Sequence, residues 1–558
     1  MTLVERICNI RAYILNKKRF RIVILILVLL TIKHVYRVNQ EIGVVVFKHS
    51  ENTAPCVLPE VDPFDPKMME FVKNPVPITC SDPAIIYVDS YNNLQYNTTA
   101  LKCLNESPDT VNCEVSLITR KTDDFNTISE PFLWKPSMNI SGDFFRVKCK
   151  GANGLLFDNH LTRIERTPKR YKRLRESLKE DKYNVLLFGI DSMSRSAGIR
   201  QLPKVYKFLT ETLGGYDFKG YTKVADNTFV NLVPLLSGRF AYSDELPKID
   251  YIKDWLDVLP IMWKNFSKED TATLLAEDYP NLNAFNMEKS GFLNSPTDHY
   301  MRPFWRAIKI STLFYDKTID MKHALQNSDI SLTGNYGMCL EDKPNHVVVT
   351  NYLKQFMQTY KDVRKFSLSF LTELSHEYQN FLQLGDSDIV EFFEWLHREG
   401  HTNNTIIITF SDHGMRFGEI QHLYVARIEN RMPFLNIVLP PSLKAKYPTV
   451  AKSMRLNQER LSSTFDLHAT LRDILHGNYK SPGQFYVNKK LRGISLFKPL
   501  PEDRSCAGKK SSPYCNNCIK NIIDLSGDSG QSGLTLKLFQ MVIVANKVLR
   551  YKYFKWKQ

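Results

Sequence analysis

The segment from Thr405 to Gly414 constrains the fold of this chain more than any other stretch. It begins Thr-Ile-Ile-Ile-Thr-Phe, a β-branched and apolar run that is typical of a strand buried on both faces. The run ends abruptly at Asp412, His413 and Gly414. A carboxylate and an imidazole at the end of a buried strand can both turn toward one cation, and ligands bind at this edge of open α/β sheets. The alternative is a turn capped by Asp412 beside a surface His413.

Strand-like and helical patterns alternate from residue 183 to residue 500. The apolar run Tyr183–Ile190 is typical of a buried strand, and it stops at Asp191. Further strand-like runs begin at Thr271, Phe366 and Phe434, and helical spacing occurs at Leu202–Leu213, Ile389–His397 and Leu461–Leu475. This alternation predicts an α/β domain over residues 183–500, with a mostly parallel sheet flanked by helices.

The region before this domain has a different character. Residues 76–160 contain short strand-like runs and four cysteines, which predicts a small N-terminal disulfide-stapled β-rich domain. Residues 36–75 resemble a stem, and the basic linker 161–182 is best explained as a solvated connecting helix. Contact of that linker with an acidic glycan or lipid headgroup is the alternative. A cysteine-containing C-terminal segment covers residues 501–558.

An apolar run near the N-terminus, Ile22–Ile32, follows a cluster of lysines and arginines. It favours a signal-anchor helix over residues 21–35, with residues 1–20 as a cytosolic tail. A cleaved signal peptide is the alternative, although no small residues suited to cleavage follow the run. We therefore expect a single-pass type II membrane protein of the secretory pathway, in the Golgi or at the cell surface, or a protein secreted after cleavage.

The formal net charge of +15 would suggest nucleic acid as a partner. We exclude nucleic acid, because most basic residues should face a lumen; the membrane is the expected partner through the anchor. The oligomeric state cannot be predicted from the sequence.

Cysteines and glycosylation signals agree with a secretory route. Nine of the ten cysteines follow the apolar run, and disulfides are expected in an oxidising compartment. Because nine is odd, at least one cysteine stays free or pairs between chains. The pair Cys515 and Cys518 is better explained by a disulfide than by zinc. Asn-x-Ser/Thr signals, which predict N-glycosylation, occur at Asn97, Asn105, Asn139, Asn265 and Asn403.

Polar side chains at several strand ends are suited to one task. Asp191 follows one strand and Asp412-His413 follow another, while Thr228 precedes an apolar helical run. These residues can converge on a divalent metal, zinc first, with manganese or calcium as alternatives. A metal-bound hydroxyl loses its proton more readily, so Thr228 is the candidate nucleophile. A simple N-cap is the alternative role for Thr228, and the two roles do not exclude each other.

Four motifs carry a resemblance to a known superfamily. They are Leu-Leu-Phe-Gly-Ile-Asp191-Ser-Met-Ser-Arg195, Ala-Asp226-Asn-Thr228-Phe-Val-Asn-Leu, Leu-Ser-His376-Glu-Tyr and Phe-Ser-Asp412-His413-Gly414. In this order they resemble the alkaline phosphatase/sulfatase superfamily, and more narrowly an uncharacterised animal family, of nematode and insect type, of sulfatase-like membrane-anchored proteins. The resemblance implies an alkaline-phosphatase-like core in which Asp191, Asp412 and His413 hold a metal beside the nucleophile Thr228.

One departure from the sulfatase pattern bears on the chemistry. Sulfatases of this superfamily use a modified cysteine or serine, whereas the equivalent position here is Thr228, as in the superfamily's phosphoethanolamine and phosphoglycerol transferases. The resemblance therefore implies a metal-dependent hydrolase or transferase of phosphate esters or phosphodiesters on a glycan, lipid or small molecule. The alternatives are a non-catalytic extracellular or Golgi binding protein and a sulfuric ester hydrolase. Candidates for a second metal site or for substrate contact are His376, Glu373, His422, Arg195 and Asn227.

Overall fold

The computed structural model describes residues 56–81, 83–89, 91–136, 138–177, 181–311, 338–483 and 492–504. Strands β1 to β18, in chain order, are Ile86–Val88, Leu94–Tyr96, Asn112–Arg120, Asn126–Ile128, Phe132–Leu133, Phe144–Gly151, Gly154–Thr162, Asn184–Ile190, Tyr216–Asp217, Tyr221–Thr222, Ala272–Glu277, His299–Tyr300, Cys339–Leu340, Lys343–Pro344, Lys365–Leu371, Thr405–Phe410, Leu435–Val438 and Ser462–Ser463. Helices α1 to α14 are Pro66–Met69, Thr98–Cys103, Pro168–Glu176, Arg195–Gln201, Pro203–Lys207, Phe229–Ser237, Met262–Lys268, Arg302–Ser311, Asn345–Thr359, Leu382–Arg398, Tyr424–Arg431, Pro441–Lys446, Pro448–Asn457 and Thr464–His476.

A seven-stranded sheet in the order β12-β11-β15-β8-β16-β17-β9 forms the centre of the molecule. The first five strands in this order are parallel, and β17 and β9 are antiparallel to their neighbours. Both β8 and β16 are buried at every residue, as their continuous apolar runs predict. The predicted α/β fold with a mostly parallel sheet is confirmed.

Helices cover both faces of this sheet. Along β8, Val185 and Leu187 belong to one apolar core, and Leu186 and Phe188 belong to the other. The first core contains side chains of α6, α7 and α14, and the second contains side chains of α4, α9 and α10. The sheet is therefore the middle layer of three, and the ends of its strands are the places where polar side chains can meet.

The N-terminal region forms a separate antiparallel sheet in the order β4-β3-β6-β7, with β5 also paired to β3. Cys113 and Cys149 are register partners on β3 and β6 and form a disulfide, so the predicted disulfide-stapled β-rich region is present. A second disulfide joins Cys80 to Cys339, 259 residues apart in the sequence. Cys103 is free and exposed, and Cys56 is disulfide-bonded.

The basic linker contains α3, which is anchored to the core by ion pairs. Arg170 pairs with Asp298 at 3.2 Å, and Arg173 pairs with Asp270 at 2.8 Å. The linker is a connecting helix whose charges are partly matched by acidic residues of the domain that follows.

The expectation of a single-pass membrane protein is corrected by the structure. Within the ranges given above, no helix is long and apolar enough to cross a membrane. The run at residues 21–35, from which the anchor was predicted, lies outside the described residues, as do the tail 1–20, most of the stem and the pair Cys515 and Cys518.

Candidate functional site

The ends of β8 and β16 lie side by side and bring their polar residues together. These strands pair in parallel, with Phe410 opposite Gly189, so Asp191 and Asp412 follow at the same edge. Ser192 has a φ of 55°, and its backbone N–H donates to Asp412 Oδ1 at 3.2 Å. This backbone contact fixes the distance between the two strand ends.

Gly414 explains why the acidic end of β16 can pack so closely. A Cβ at this position would lie 2.5 Å from the carbonyl oxygen of Glu429. The Gly414 N–H donates to the carbonyl of Asn430 at 2.9 Å. Only glycine fits this approach, and it holds the Asp412-His413 pair against the last turn of α11.

Three side chains form a cluster at this edge. Ligand atoms of Asp191, Asp412 and His413 lie within 4.8 Å of one another, and all three residues are buried. It is the one group of three or more potential metal ligands found among the described residues. The described residues contain no second group of this kind that could hold another metal ion.

The hydrogen bonds of His413 leave two buried acceptor atoms of the cluster facing each other. His413 Nδ1 lies 2.9 Å from the Gly414 carbonyl oxygen, which can only accept, so Nδ1 carries the proton. His413 Nε2 then presents a lone pair to Asp412 Oδ2 at 3.1 Å. His413 Nε2 and Asp412 Oδ2 are both buried without a hydrogen-bond partner. Leaving two buried acceptors in this state is costly unless a cation lies between them.

Burial also shifts the pKa values of the cluster residues. Burial, followed by the charge of Asp412, raises the pKa of Asp191 to about 8, while His376 and Arg416 oppose the shift. Burial lowers the pKa of His413 to about 4, so its imidazole is neutral at pH 7. The raised pKa means that Asp191 ionises less readily without a nearby positive charge, and a cation would favour its carboxylate form. Asp191, Asp412 and a neutral His413 are together a donor set that could hold a divalent metal.

Thr228 lies at the N-terminus of α6, beside Asp191. It is 6% exposed, and its hydroxyl lies 3.4 Å from Asp191 Oδ2. The side chain makes no capping hydrogen bond to its own helix, so the hydroxyl faces the cluster and not the helix backbone. Asn227 is exposed, and its side-chain oxygen accepts from the Thr228 N–H at 2.9 Å. Asn227 therefore helps to orient the backbone at Thr228.

Two basic residues near the cluster were missed by the sequence analysis. Arg416 is close enough to oppose the raised pKa of Asp191 and to lower that of His413, and its Nε is buried without a partner. Lys223 is buried, and its ammonium donates to Asp226 and Asn430. Arg416 comes two residues after Gly414, so its closeness in sequence to Asp412 and His413 could have indicated that it lies near the cluster.

Other predicted residues lie at different distances from the cluster. The pKa of His376 is raised above its ordinary value. Burial lowers this pKa, but a hydrogen bond to Glu377 and the nearby charge of Asp191 raise it by more. The side chain of Glu373 instead accepts from Asn345 at 2.8 Å. Arg195 is held by Asp217 at 2.6 Å, and His422 is exposed and pairs with Glu419 at 3.3 Å.

The predicted glycosylation sites differ in exposure. Four of the five asparagines are exposed: Asn105, Asn139, Asn265 and Asn403. Asn97 is half-buried, and both polar atoms of its side chain make hydrogen bonds.

The chain belongs to the family described as "Protein of unknown function (DUF229)", whose model matches residues 73–518. This match includes every residue of the cluster. No curated protein matches the chain.

Several solved structures are similar to this chain, all at low identity. The lipoteichoic acid synthase LtaP from Listeria monocytogenes is 12% identical, with a TM-score of 0.32, over 60% of this chain and 81% of that one. The periplasmic domain of EptC from Escherichia coli, in complex with Zn, is 12% identical, with a TM-score of 0.34, over 58% and 88%. The PsFucS1 sulfatase from Pseudoalteromonas sp. is 16% identical, with a TM-score of 0.33, over 62% and 78%.

Proposed function

We propose that this protein is a metal-dependent hydrolase or transferase of phosphate esters or phosphodiesters, with Thr228 as the nucleophile. The observation that carries the proposal is the pair of buried acceptors, Asp412 Oδ2 and His413 Nε2, that face each other at 3.1 Å. The Thr228 hydroxyl lies on the same cluster through Asp191. A cation between the two acceptors would satisfy both of them, and the Thr228 hydroxyl would lie beside it.

The residues divide the chemistry between them. When bound by Asp191, Thr228, Asp412 and His413, a divalent metal supplies a lowered pKa for the Thr228 hydroxyl and polarises the phosphate. Asp191 orients the hydroxyl. The oxygen of Thr228 attacks phosphorus in line with the leaving oxygen, whose bond to phosphorus breaks. Water, in a hydrolase, or a second hydroxyl, in a transferase, then attacks the phosphothreonine and regenerates Thr228.

Positive charge beside the cluster supports an anionic substrate. Arg416 and His376 both act on Asp191 electrostatically, and Arg416 Nε has no partner among the described residues. A guanidinium in this state is suited to a phosphate oxygen. The substrate is a phosphate ester on a glycan, lipid or small molecule, and these groups would offset the charge that develops on its oxygens.

The test combines metal analysis with turnover on one preparation. Aryl phosphate monoesters, aryl phosphodiesters and aryl sulfates are offered to the purified protein, and its zinc and manganese contents are measured. We expect turnover of a phosphate ester that chelation abolishes and that zinc or manganese restores. Turnover of the aryl sulfate alone would contradict the proposal, and absence of both bound metal and metal activation would favour a binding protein.

Two substitutions at Thr228 sharpen this test. Thr228→Val keeps the shape of the side chain but removes the hydroxyl, so we expect turnover to fall by about 10³-fold or more. Thr228→Ser keeps a hydroxyl and is the matched control, expected to retain measurable activity. A valine variant with wild-type turnover would eliminate Thr228 as the nucleophile.

A further inference from the structure

A large cavity lies away from the metal cluster, between the N-terminal region and the helices of the core. Its volume is about 770 Å³, within the range of small-ligand sites in proteins. Tyr87 of β1 lines one side, and Lys354 of α9 and Trp395 of α10 line another. None of the residues of the metal cluster lines it.

The walls of this cavity suit an uncharged polar ligand. Both of its lysines already have an acidic partner, since Lys343 lies 2.5 Å from Asp342 and Lys354 lies 3.6 Å from Glu391. Asp89 accepts a hydrogen bond from the Gln95 side chain at 3.1 Å. An anionic ligand would therefore have to compete with existing carboxylate partners. An uncharged ligand meets no such competition.

Several uncharged polar side chains in the cavity have unused hydrogen-bonding groups. His160 is 7% exposed, and no described residue hydrogen-bonds to its imidazole. Burial lowers the pKa of His160 to about 4, so it offers one donor and one acceptor. The amides of Asn351 and Gln358 also line the cavity without a hydrogen-bond partner in the described part of the chain.

Aromatic rings complete the description of the ligand. Tyr87 is 42% exposed, and the indole of Trp395 is half-buried. A pyranose ring has an apolar C–H face that packs on aromatic rings and hydroxyl groups that bond to amides and imidazole. Aromatic rings next to free amides therefore point to a sugar.

A candidate source of that sugar lines the cavity itself. Asn97 is the half-buried member of the five glycosylation signals, and it is a lining residue. Its Oδ1 accepts from the Ala100 N–H at 3.1 Å, and its Nδ2 donates to the Ala84 carbonyl at 3.1 Å. A glycosylated asparagine keeps its oxygen and one of its two N–H groups. Its Oδ1 can therefore still accept from the Ala100 N–H, and its Nδ2 keeps one donor.

We infer that Asn97 carries an N-linked glycan whose first N-acetylglucosamine residues occupy this cavity. The sugar would contact β1 on one side and α9 and α10 on the other, and it would join the N-terminal region to the core. This inference concerns a part of the molecule away from the metal cluster and does not depend on the proposed reaction.

The test compares two glycosylation signals in the full chain, expressed in cultured animal cells. Glycopeptide mass spectrometry should find Asn97 occupied. A peptide N-glycosidase applied to the folded protein should release the Asn97 glycan about tenfold or more slowly than the Asn105 glycan, because release requires local opening. The Asn105 site is exposed and is the matched control. Unfolding the protein should remove the difference.

Two kinds of variant test the cavity wall and the Asn97 glycosylation signal separately. Tyr87→Ala, at a partly exposed position, should speed release at Asn97 and leave Asn105 unchanged. Thr99→Ala removes the Asn97 signal and should lower the thermal midpoint by about 2 °C, whereas Thr99→Ser keeps the signal and should not. An unmodified Asn97, or equal release rates at the two sites in the folded protein, would overturn the inference.

Discussion

Two histidine–carboxylate pairs in this protein, each with a buried imidazole, have opposite hydrogen-bond arrangements. His299 Nδ1 lies 2.6 Å from Asp143 Oδ2, and its Nε2 lies 2.9 Å from the Tyr360 hydroxyl. In the other pair, His413 Nε2 and Asp412 Oδ2 are both acceptors and lie 3.1 Å apart. The first pair is complete within the protein, and the second is incomplete, because neither of its facing atoms supplies a proton.

The difference distinguishes a histidine that is paired within the protein from one whose ring nitrogen is available to a cation. Burial alone would lower the pKa of His299, but the charge and hydrogen bond of Asp143 raise it above its ordinary value. Burial dominates at His413, and its pKa falls to about 4. Proximity of an imidazole to a carboxylate is therefore not enough to assign the role of a histidine. The role depends on which ring nitrogen faces the carboxylate and on what the other nitrogen contacts.

The largest expected effect on stability comes from breaking the complete pair. Asp143→Asn removes the charge that faces His299 and replaces one of two accepting oxygens with an NH₂ group. In the wild-type protein Oδ2 serves both His299 and the Tyr352 hydroxyl, and Oδ1 accepts from the Glu165 N–H at 2.7 Å. We expect the free energy of unfolding to fall by about 3–5 kcal/mol, measured by chemical denaturation. Asp181→Asn, at a more exposed pair with Lys446, is the control and should cost no more than about 1 kcal/mol. A loss at Asp143 as small as that of the control would mean that its pair with His299 contributes little.

The sequence was informative where local chemistry determines position. Apolar runs that stop at Asp191 and Asp412 predict strand ends, and the parallel sheet brings such ends to one edge. The fold class and the convergence of Asp191, Asp412 and His413 could be predicted in this way. Glycine after His413 was a further local signal, since a close backbone approach needs it.

Other features depend on distant partners, which no local pattern reveals. Arg195 follows Asp191 closely in sequence, yet its guanidinium is held by Asp217. Cys80 pairs with Cys339 across 259 residues, a connectivity that the sequence does not give. These contacts follow from the packing of the N-terminal region and the loops on the core, which sequence periodicity does not specify.

The incomplete pair should respond to substitution in the opposite direction. In Asp412→Asn, the amide nitrogen can take the place of Oδ2 and donate to His413 Nε2, while the amide oxygen keeps the bonds from the N–H groups of Ser192 and His413. We expect the metal-free variant to be more stable than the metal-free wild-type protein by about 1–3 kcal/mol. Its zinc content and phosphate-ester turnover should fall together. A destabilised metal-free variant would show that the two acceptors do not oppose each other.

The smallest expected effect is a pH dependence that belongs to the complete pair alone. The folded-state pKa of His299 is raised, so its pairing with Asp143 stabilises the protein fully below the unfolded-state pKa of about 6.5. That stabilisation is lost as the pH rises through the higher folded-state pKa. The difference in unfolding free energy between wild-type protein and Asp143→Asn should therefore be larger at pH 6 than at pH 9, in denaturation curves recorded at both values. An equal difference at both would mean that His299 is neutral throughout and that hydrogen bonding without charge holds the pair.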